Sequence, residues 1–298
     1  MAKPKALITG IMGFTGHYVA AELRAHGWDV WGVGSQQPGP ADSHYHCVDL
    51  LDASGLSVVV ADMQPGVVVH LAAIAFVGRG DTDAFYRVNL LGTRNLLAAL
   101  AGAQHKPGCV LLASSANVYG NATDGVLTEA TSPNPANDYA VSKLAMEYMA
   151  RLWMDKLPIV IARPFNYTGV GQREDFLLPK MVAHFRSRAA AIQLGNLDVW
   201  RDFSDVRAVA QAYRRLLQVC PAGDTVNVCS GRTHSLREVL HMMERISGHT
   251  LDVQVNPAFV RANEVRSLSG NPDKLLSLIG DWQVPALEVT LRWMLEAA

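Results

Sequence analysis

The chain has 298 residues, too many for one small core and too few for three ordinary domains, so one large domain carrying a smaller one is expected. It is 49% hydrophobic, 18% charged and 7% aromatic, which excludes disordered and collagen-like chains. A formal charge of −1, from 26 basic and 27 acidic residues, argues against a general nucleic-acid binder, which needs a basic excess.

No apolar run is long enough to span a bilayer, and the opening MAKPKALITG reads directly as a strand. Neither a membrane anchor nor a signal peptide is expected. Cys47, Cys109, Cys220 and Cys229 lie far apart, without C-x-x-C or Cys/His spacing. They read as reduced thiols of a cytoplasmic protein, and no metal site is expected from them or from the histidines.

In chain order, apolar runs predict strands at Lys5–Gly10, Asp29–Gly34, His46–Asp49, Val67–Ala73, Cys109–Ser115 and Ile159–Phe165. They are rich in Val, Ile and Leu with little alternation, as strands covered on both faces require. Helical spacing lies between them, over Gly16–His26, which stops at Gly27, over Asp83–Ala103 and over Asn137–Lys156. This repetition predicts an α/β fold, a Rossmann-type doubly wound parallel sheet with right-handed crossovers.

After about Phe165 the rhythm breaks. A helix around Phe176–Arg188, a helix over Asp205–Gln218 and a strand at Asp224–Cys229 follow, and the tail from Ser230 mixes short elements. The expected division is a dinucleotide-binding unit of residues 1–165 plus 201–229, and a smaller α/β substrate unit of residues 166–200 plus 230–298.

The segment Gly10-Ile-Met-Gly13-Phe-Thr-Gly16 follows the first strand and opens a helix. Gly10 permits a tight turn, Gly13 lets backbone approach a pyrophosphate, and Gly16 lets helix and strand pack closely. Phe14 and Thr15 stand at the helix start, whose N–H groups attract an anion. After the second strand comes Gly34-Ser35-Gln36-Gln37, with no acid to hold both ribose hydroxyls and no arginine for a 2′-phosphate. The missing acid removes a repulsion, so NADP(H) is the preferred cofactor and NAD(H) is tolerated.

Tyr139 and Lys143 are four residues apart on a predicted helix and share a face. A cation beside a phenol favours phenolate, so the pair predicts a Tyr139 that titrates below its usual range. Ser114 and Ser115 end an apolar strand, where doubly wound sheets place ligands. A hydroxyl there can steady charge building on a carbonyl oxygen.

Together these segments resemble the extended short-chain dehydrogenase/reductase family over essentially the whole chain. The resemblance rests on the glycine loop, His70-Leu-Ala-Ala73, Asn89-Leu-Leu-Gly-Thr93, Ser114-Ser115-Ala-Asn-Val-Tyr-Gly120, the Tyr139/Lys143 pair, Arg163-Pro-Phe-Asn166 and Arg201-Asp-Phe-Ser-Asp205. It implies Tyr139 as acid/base, Lys143 on the nicotinamide ribose, and Ser115 on the substrate carbonyl. It further implies cofactor contacts from Ser35, from Asp49 and Leu50 near the adenine, and from Leu71, Ala72 and Ala73.

Dehydratases of the family carry a glutamate where this chain has Asn117, and an amide is no base at neutral pH. Leu194-Gly-Asn196-Leu-Asp-Val-Trp-Arg201-Asp and Arg261-Ala-Asn-Glu264-Val resemble the GDP-sugar branch. By that resemblance Asn166, Lys180 and Arg201 hold the diphosphate side, Arg261 and Glu264 reach the ribose and phosphates, and Asn117 and Asn196 line the substrate. Arginine suits a diphosphate because it binds bidentately.

The implied reaction is reduction of the C4 ketone of GDP-4-keto-6-deoxy-D-mannose to GDP-D-rhamnose. The 6-deoxy-talose epimer, a dTDP- or UDP-sugar epimerase or reductase, and a non-catalytic NADP-binding protein stay open. The family also implies a homodimer through a four-helix interface, with Met146, Met149 and Trp153 near helical spacing on one helix and Leu96, Leu97 and Leu100 on the other.

Overall fold

In the computed structural model, which describes residues 3–37, 44–75, 82–120, 125–259 and 266–297, the apolar runs become β1 (Lys5–Thr9), β2 (Asp29–Gly34) and β3 (Tyr45–Cys47), with helix α1 (Phe14–Ala25) after β1. Next come α2 (Ala53–Met63), β4 (Val67–His70), and a continuous helical run of α3 (Thr82–Phe85), a π-helical stretch (Tyr86–Gly92) and α4 (Thr93–Gly102). β5 (Cys109–Ala113), a 3-10 turn (Ala116–Tyr119), β6 (Val126–Leu127), α5 (Asp138–Arg151), β7 (Ile159–Pro164) and β8 (Asn166–Thr168) follow. The second half holds α6 (Leu177–Arg186), β9 (Ala191–Leu194), β10 (Trp200–Asp205), α7 (Val206–Val219), β11 (Thr225–Val228), β12 (Thr233–Ser235) and α8 (Leu236–Ser247). It closes with β13 (Asp252–Val255), β14 (Ser267–Gly270), α9 (Asp273–Ile279) and α10 (Leu287–Glu296).

Seven parallel strands form the main sheet in the order β11-β7-β5-β4-β1-β2-β3. This is the expected doubly wound Rossmann sheet, with its order reversing between β1 and β4. One face of the strands packs Ile8, Val69 and Leu111 against α1 and α7. The other packs Leu7, Val68 and Leu112 against α2, α4 and α5. Adjacent residues serve opposite cores, so both strand faces are mainly apolar.

A second sheet runs β12-β10-β14-β6, with β8 also on β10, and a parallel pair joins β9 to β13. Helices α6, α8 and α10 share a separate apolar cluster around Met181, Phe185, Val239, Met243 and Leu291. Residues 201–205 lie in this second sheet, as part of β10, and the following α7 packs on the main one.

Three local outcomes depart from what residue propensity and spacing suggest. The Val58-Val59-Val60 run favours strand by propensity, yet α2 forms there. Asp52 caps it by accepting from the Gly55 N–H at 2.9 Å, and Leu56, Val59, Val60 and Met63 bury one face. Helix α5 ends at Arg151 and turns occupy 152–156 before Pro158. The predicted interface residues of α5 are core: Met146 is fully buried, and Met149 and Trp153 pack against the same cluster as Leu96, Leu97 and Leu100.

Among the described residues, no helix is long and apolar enough to cross a membrane, and no group of three His, Cys, Asp or Glu could hold a metal.

Gly16 sits where α1 meets β1, and a Cβ there would lie 2.3 Å from the Gly10 carbonyl oxygen and 2.6 Å from Ile11 Cα. Gly16→Ala is expected to destabilise the fold by about 1–3 kcal/mol through overpacking. Gly102 has nothing within 4 Å of its Cβ position, so Gly102→Ala should be neutral or slightly stabilising, and urea unfolding of the two variants checks both expectations.

Candidate active site

All strands of the main sheet point one way, so their ends gather at a single edge. The sequence-predicted strands overran this edge at Gly10, Leu71–Ala73, Ser114–Ser115 and Phe165, which are loop residues in the fold.

Gly10 has φ +71°, and a Cβ on it would meet the Ala72 nitrogen at 2.8 Å, so the glycine loop and the loop after β4 touch. Gly13 is the exposed N-cap of α1, and no side chain caps it. The first turn of α1 carries no acid. An uncapped N-terminus of this kind fits the pyrophosphate of a dinucleotide. Phe14 stacks on Tyr167 at 6.2 Å, and Thr15 Oγ1 shares a 2.8 Å hydrogen bond with the Tyr167 hydroxyl.

Behind the loop, His70 is buried with both ring nitrogens engaged. Thr93 donates its hydroxyl hydrogen to the Asn89 carbonyl at 2.7 Å, so it accepts from His70 Nε2–H at 2.8 Å. His70 Nδ1 then accepts from the Thr9 hydroxyl at 2.7 Å, and Thr9 accepts from the Ala72 N–H at 3.1 Å. This chain uses neutral histidine. Burial, then the Lys143 charge, lowers the pKa of His70 to about 3. Asn89, in the π-helical stretch, braces the same loop through the N–H and C=O of Ile74 at 2.9 and 3.1 Å, and reaches Ser142 Oγ at 3.0 Å.

Ser115, Tyr139 and Lys143 converge above β5. Ser115 caps the 3-10 turn, accepting from the Asn117 N–H at 3.1 Å, and hydrogen-bonds the Tyr139 phenol. Tyr139 opens α5, whose Asn137 cap accepts from the Ala140 N–H at 2.9 Å. Lys143, one turn on, is buried and donates to the Ala113 carbonyl at 2.7 Å.

The expected lowering of Tyr139 is corrected by the structure. Burial and the neighbouring Tyr167 push its phenol up to about 12, against the Ser115 hydrogen bond. The Lys143 ammonium is spent on a backbone carbonyl, and burial brings Lys143 itself down to about 8, opposed by Glu147. Tyr139 is therefore a protonated phenol at neutral pH.

The other predicted positions spread along the edge and into the second sheet. Ser35 is exposed after β2, and its carbonyl lies 3.7 Å from Cys47 Sγ. Asp49 accepts from the Leu51 N–H at 2.9 Å, and Leu50 is buried beside Gly92. Asn117 is exposed next to Ser115. Asn166 has its amide nitrogen buried without a hydrogen-bond partner, a donor suited to an anionic ligand. Lys180 donates to the Gln193 carbonyl at 2.7 Å and sits 4.8 Å over the Phe259 ring, and Asn196 accepts from the Asp198 N–H at 3.0 Å. Arg201 reaches the Trp200 and Arg266 carbonyls at 2.8 and 3.3 Å. Arg261 and Glu264 lie outside the described residues.

The sequence profile of the NAD dependent epimerase/dehydratase family matches residues 6–229, the span from β1 to the residue after β11. The chain belongs to that family.

It is accordingly an NAD(P)-dependent enzyme acting on a CH–OH group. Two similar curated proteins are the GDP-6-deoxy-D-talose 4-dehydrogenase of Aggregatibacter actinomycetemcomitans, 33% identical over 97% of this chain and 96% of that one, and the GDP-6-deoxy-D-mannose reductase of Pseudomonas aeruginosa, 34% identical over 98% and 95%. Among solved structures, a Burkholderia cenocepacia protein described as a candidate epimerase is 56% identical with a TM-score of 0.93, covering 98% of this chain and 97% of that one. RMD from Pseudomonas aeruginosa in complex with NADPH is 32% identical with a TM-score of 0.84, over 98% and 97%.

Sequence reasoning did not single out Glu147, Tyr119, Asn227 or Tyr167, and it quoted Arg163 only as part of a motif. Glu147 carried a readable signal, since it follows Lys143 by four residues, between Met146 and Ala150 on the buried side of α5. Tyr119 and Asn227 pair across 108 positions, at 2.7 Å, and no local pattern announces that.

The fold buries His70 in its neutral form, and this predicts acid lability. Its folded pKa of about 3 lies below the ordinary 6.5, so the unfolded chain binds the extra proton first. Stability from this group is complete above pH 6.5 and is lost as pH falls toward 3. Urea unfolding is expected to lose about 2 kcal/mol from this group between pH 7.5 and 5, a loss that His70→Asn should abolish.

Proposed function

We propose that the protein reduces the C4 ketone of a GDP-4-keto-6-deoxy-D-mannose, with NADP(H) preferred and NAD(H) accepted. The observation that carries this reading is that two relatives aligning over nearly the whole chain are both named as oxidoreductases of GDP-6-deoxy-hexoses, one of them as a 4-dehydrogenase. The NADPH in the similar RMD structure, and the absence of an acid at Ser35–Gln37, support the cofactor preference.

A bound reduced nicotinamide would supply hydride to the carbonyl carbon. The chain's own groups handle the oxygen. Tyr139, protonated at neutral pH, donates its phenolic proton to the developing alkoxide, and Ser115 hydrogen-bonds the same oxygen. A raised phenol suits this direction, since reduction needs the acid form at the start. Lys143, tied to Ala113 by one N–H, would have its others to offer to the nicotinamide ribose. Gly10, Gly13, Phe14, Thr15 and Gly16 hold the pyrophosphate, with Asp49 and Leu50 at the adenine and Leu71–Ala73 alongside. Asn166, Lys180, Asn196 and Arg201 take the diphosphate side of the substrate, and Asn117 the sugar. Arg261 and Glu264 are proposed for the ribose on the family resemblance alone.

The division into residues 1–165 plus 201–229 and 166–200 plus 230–298 belongs to this proposal, with the substrate between the two units. The talose relative favours a second reading, in which hydride arrives on the opposite face and gives GDP-6-deoxy-D-talose.

The proposed homodimer needs an apolar face. On α5, Val141 is 38% and Tyr148 55% exposed, with Leu152 at 75% just past its C-terminus and Leu91 at 46% on the adjoining π-helical stretch. These residues, rather than Met149, are the proposed contact.

With keto-sugar generated in place from GDP-mannose by an unrelated dehydratase, NADPH oxidation is expected, inhibited by GDP and not by UDP or dTDP. Tyr139→Phe should lower kcat by about 100-fold or more and leave NADPH binding intact. No oxidation with either cofactor would overturn the reading, and NMR of the product separates the two epimers. In sedimentation, Leu152→Glu should convert a dimer to monomers, and a dimer that persists would remove this face from the proposal.

A further inference from the structure

Helix α5 presents three polar side chains one turn apart on one face, Tyr139, Lys143 and Glu147. The first two belong to the proposed reaction centre. Glu147 is fully buried, and nothing in a carbonyl reduction calls on it. A carboxylate without solvent must be held by donors and a cation.

Its partners come from the residue after β5 and from β7. Oε1 accepts from Ser114 Oγ at 2.5 Å and from Arg163 Nε at 2.9 Å, and Oε2 accepts from Arg163 Nη2 at 2.6 Å. Arg163, also buried, donates from Nη1 to the Tyr119 hydroxyl at 2.9 Å, and that hydroxyl donates to Asn227 Oδ1 at 2.7 Å. The guanidinium lies 4.8 Å from the centre of the Tyr119 ring.

The members of this network are next-door neighbours of the proposed reacting groups. Ser114 precedes Ser115 at the end of β5. Tyr119 closes the turn that Ser115 opens. Arg163, in β7, lies three residues before Asn166. Glu147 stands one turn from Lys143 on the helix that carries Tyr139. A bidentate arginine–carboxylate pair fixes direction as well as distance.

We propose that Glu147 is a positioning residue: through Ser114 and Arg163 it sets the register between the Ser115 strand, the Tyr139–Lys143 helix and the Asn166 strand. This rests on the reading of Ser115, Tyr139 and Lys143 as the reacting groups.

The same arrangement has an electrostatic consequence that a purely mechanical brace would lack. Lys143 is surrounded by Glu147 and Tyr139 on its own helix and His70 on β4, with Arg163 on β7 facing Glu147. Glu147 is the group that favours its ammonium form, against burial. His70 stays neutral, so its ring adds no positive charge beside Lys143.

Both parts can be read in the protein without cofactor. In chains labelled with 13C at lysine Cε, the Lys143 signal, identified by its loss in Lys143→Arg, should titrate near pH 8. In Glu147→Gln its midpoint should fall by roughly one pH unit. Ser114→Ala keeps the ion pair, so it should leave the midpoint in place and lower kcat for the keto-sugar about tenfold, with KM little changed.

A folded Glu147→Gln chain with an unmoved Lys143 midpoint would overturn the proposal. If Glu147→Gln does not fold, Glu147→Gln/Arg163→Gln removes both charges and is judged by the same midpoint. If neither folds and Ser114→Ala has native kcat, the pair is a fold-stabilising contact and nothing more. Absence of keto-sugar turnover in the native protein would defeat the proposed function, while the lysine titration would still decide the role of Glu147.

Discussion

The constraint on which the site depends is the one-way run of seven strands covered on both faces. Alternate residues of each strand are committed to opposite cores, as Leu7 and Ile8 are on β1. Polar chemistry is thereby pushed toward the strand ends, where His70, Arg163 and Asn227 occupy the last two positions of β4, β7 and β11. Because all strands are parallel, the carboxyl ends share one edge, and the order reverses there between β1 and β4. Gly10 and Ala72 meet at this reversal, close enough that a single methyl group on Gly10 would collide.

Burial at that edge decides protonation. His70, Tyr139 and Lys143 all move in the direction that favours the neutral form. For His70 this matches its hydrogen bonds, each satisfied by the uncharged ring. For Tyr139 it leaves a proton in place to be given. Lys143 is the exception that retains appreciable charge near neutrality, and Glu147 is the group that favours it. The site thus combines an acid form of tyrosine with a cation that is held by its surroundings rather than by the tyrosine.

Much of this was readable in the chain. Three spaced glycines after an apolar run, a Tyr/Lys pair at helical spacing and a serine pair at a strand end all act over short separations, where spacing translates directly into geometry. The main strands and helices were readable for the same reason. The predicted boundaries erred where residues left the sheet, as at Leu71–Ala73, because those residues remain apolar after the hydrogen-bond ladder stops. Helix α2 went unassigned although Leu56, Val59, Val60 and Met63 stand at helical spacing; its valine run has strand propensity, which the Asp52 cap and one buried face outweigh.

The sequence by itself determined the dinucleotide fold, the class of cofactor and the three residues proposed for the chemistry, since each follows from local pattern and its order along the chain. Only the tertiary structure decided which apolar stripe of α5 is core, that Tyr139 is raised rather than lowered, and that Glu147 ties Ser114 to Arg163. These depend on neighbours brought together from separate strands and helices, and on the loss of water around them. Desolvation and contact across the sheet are properties of three-dimensional packing, and no spacing along one chain segment encodes them.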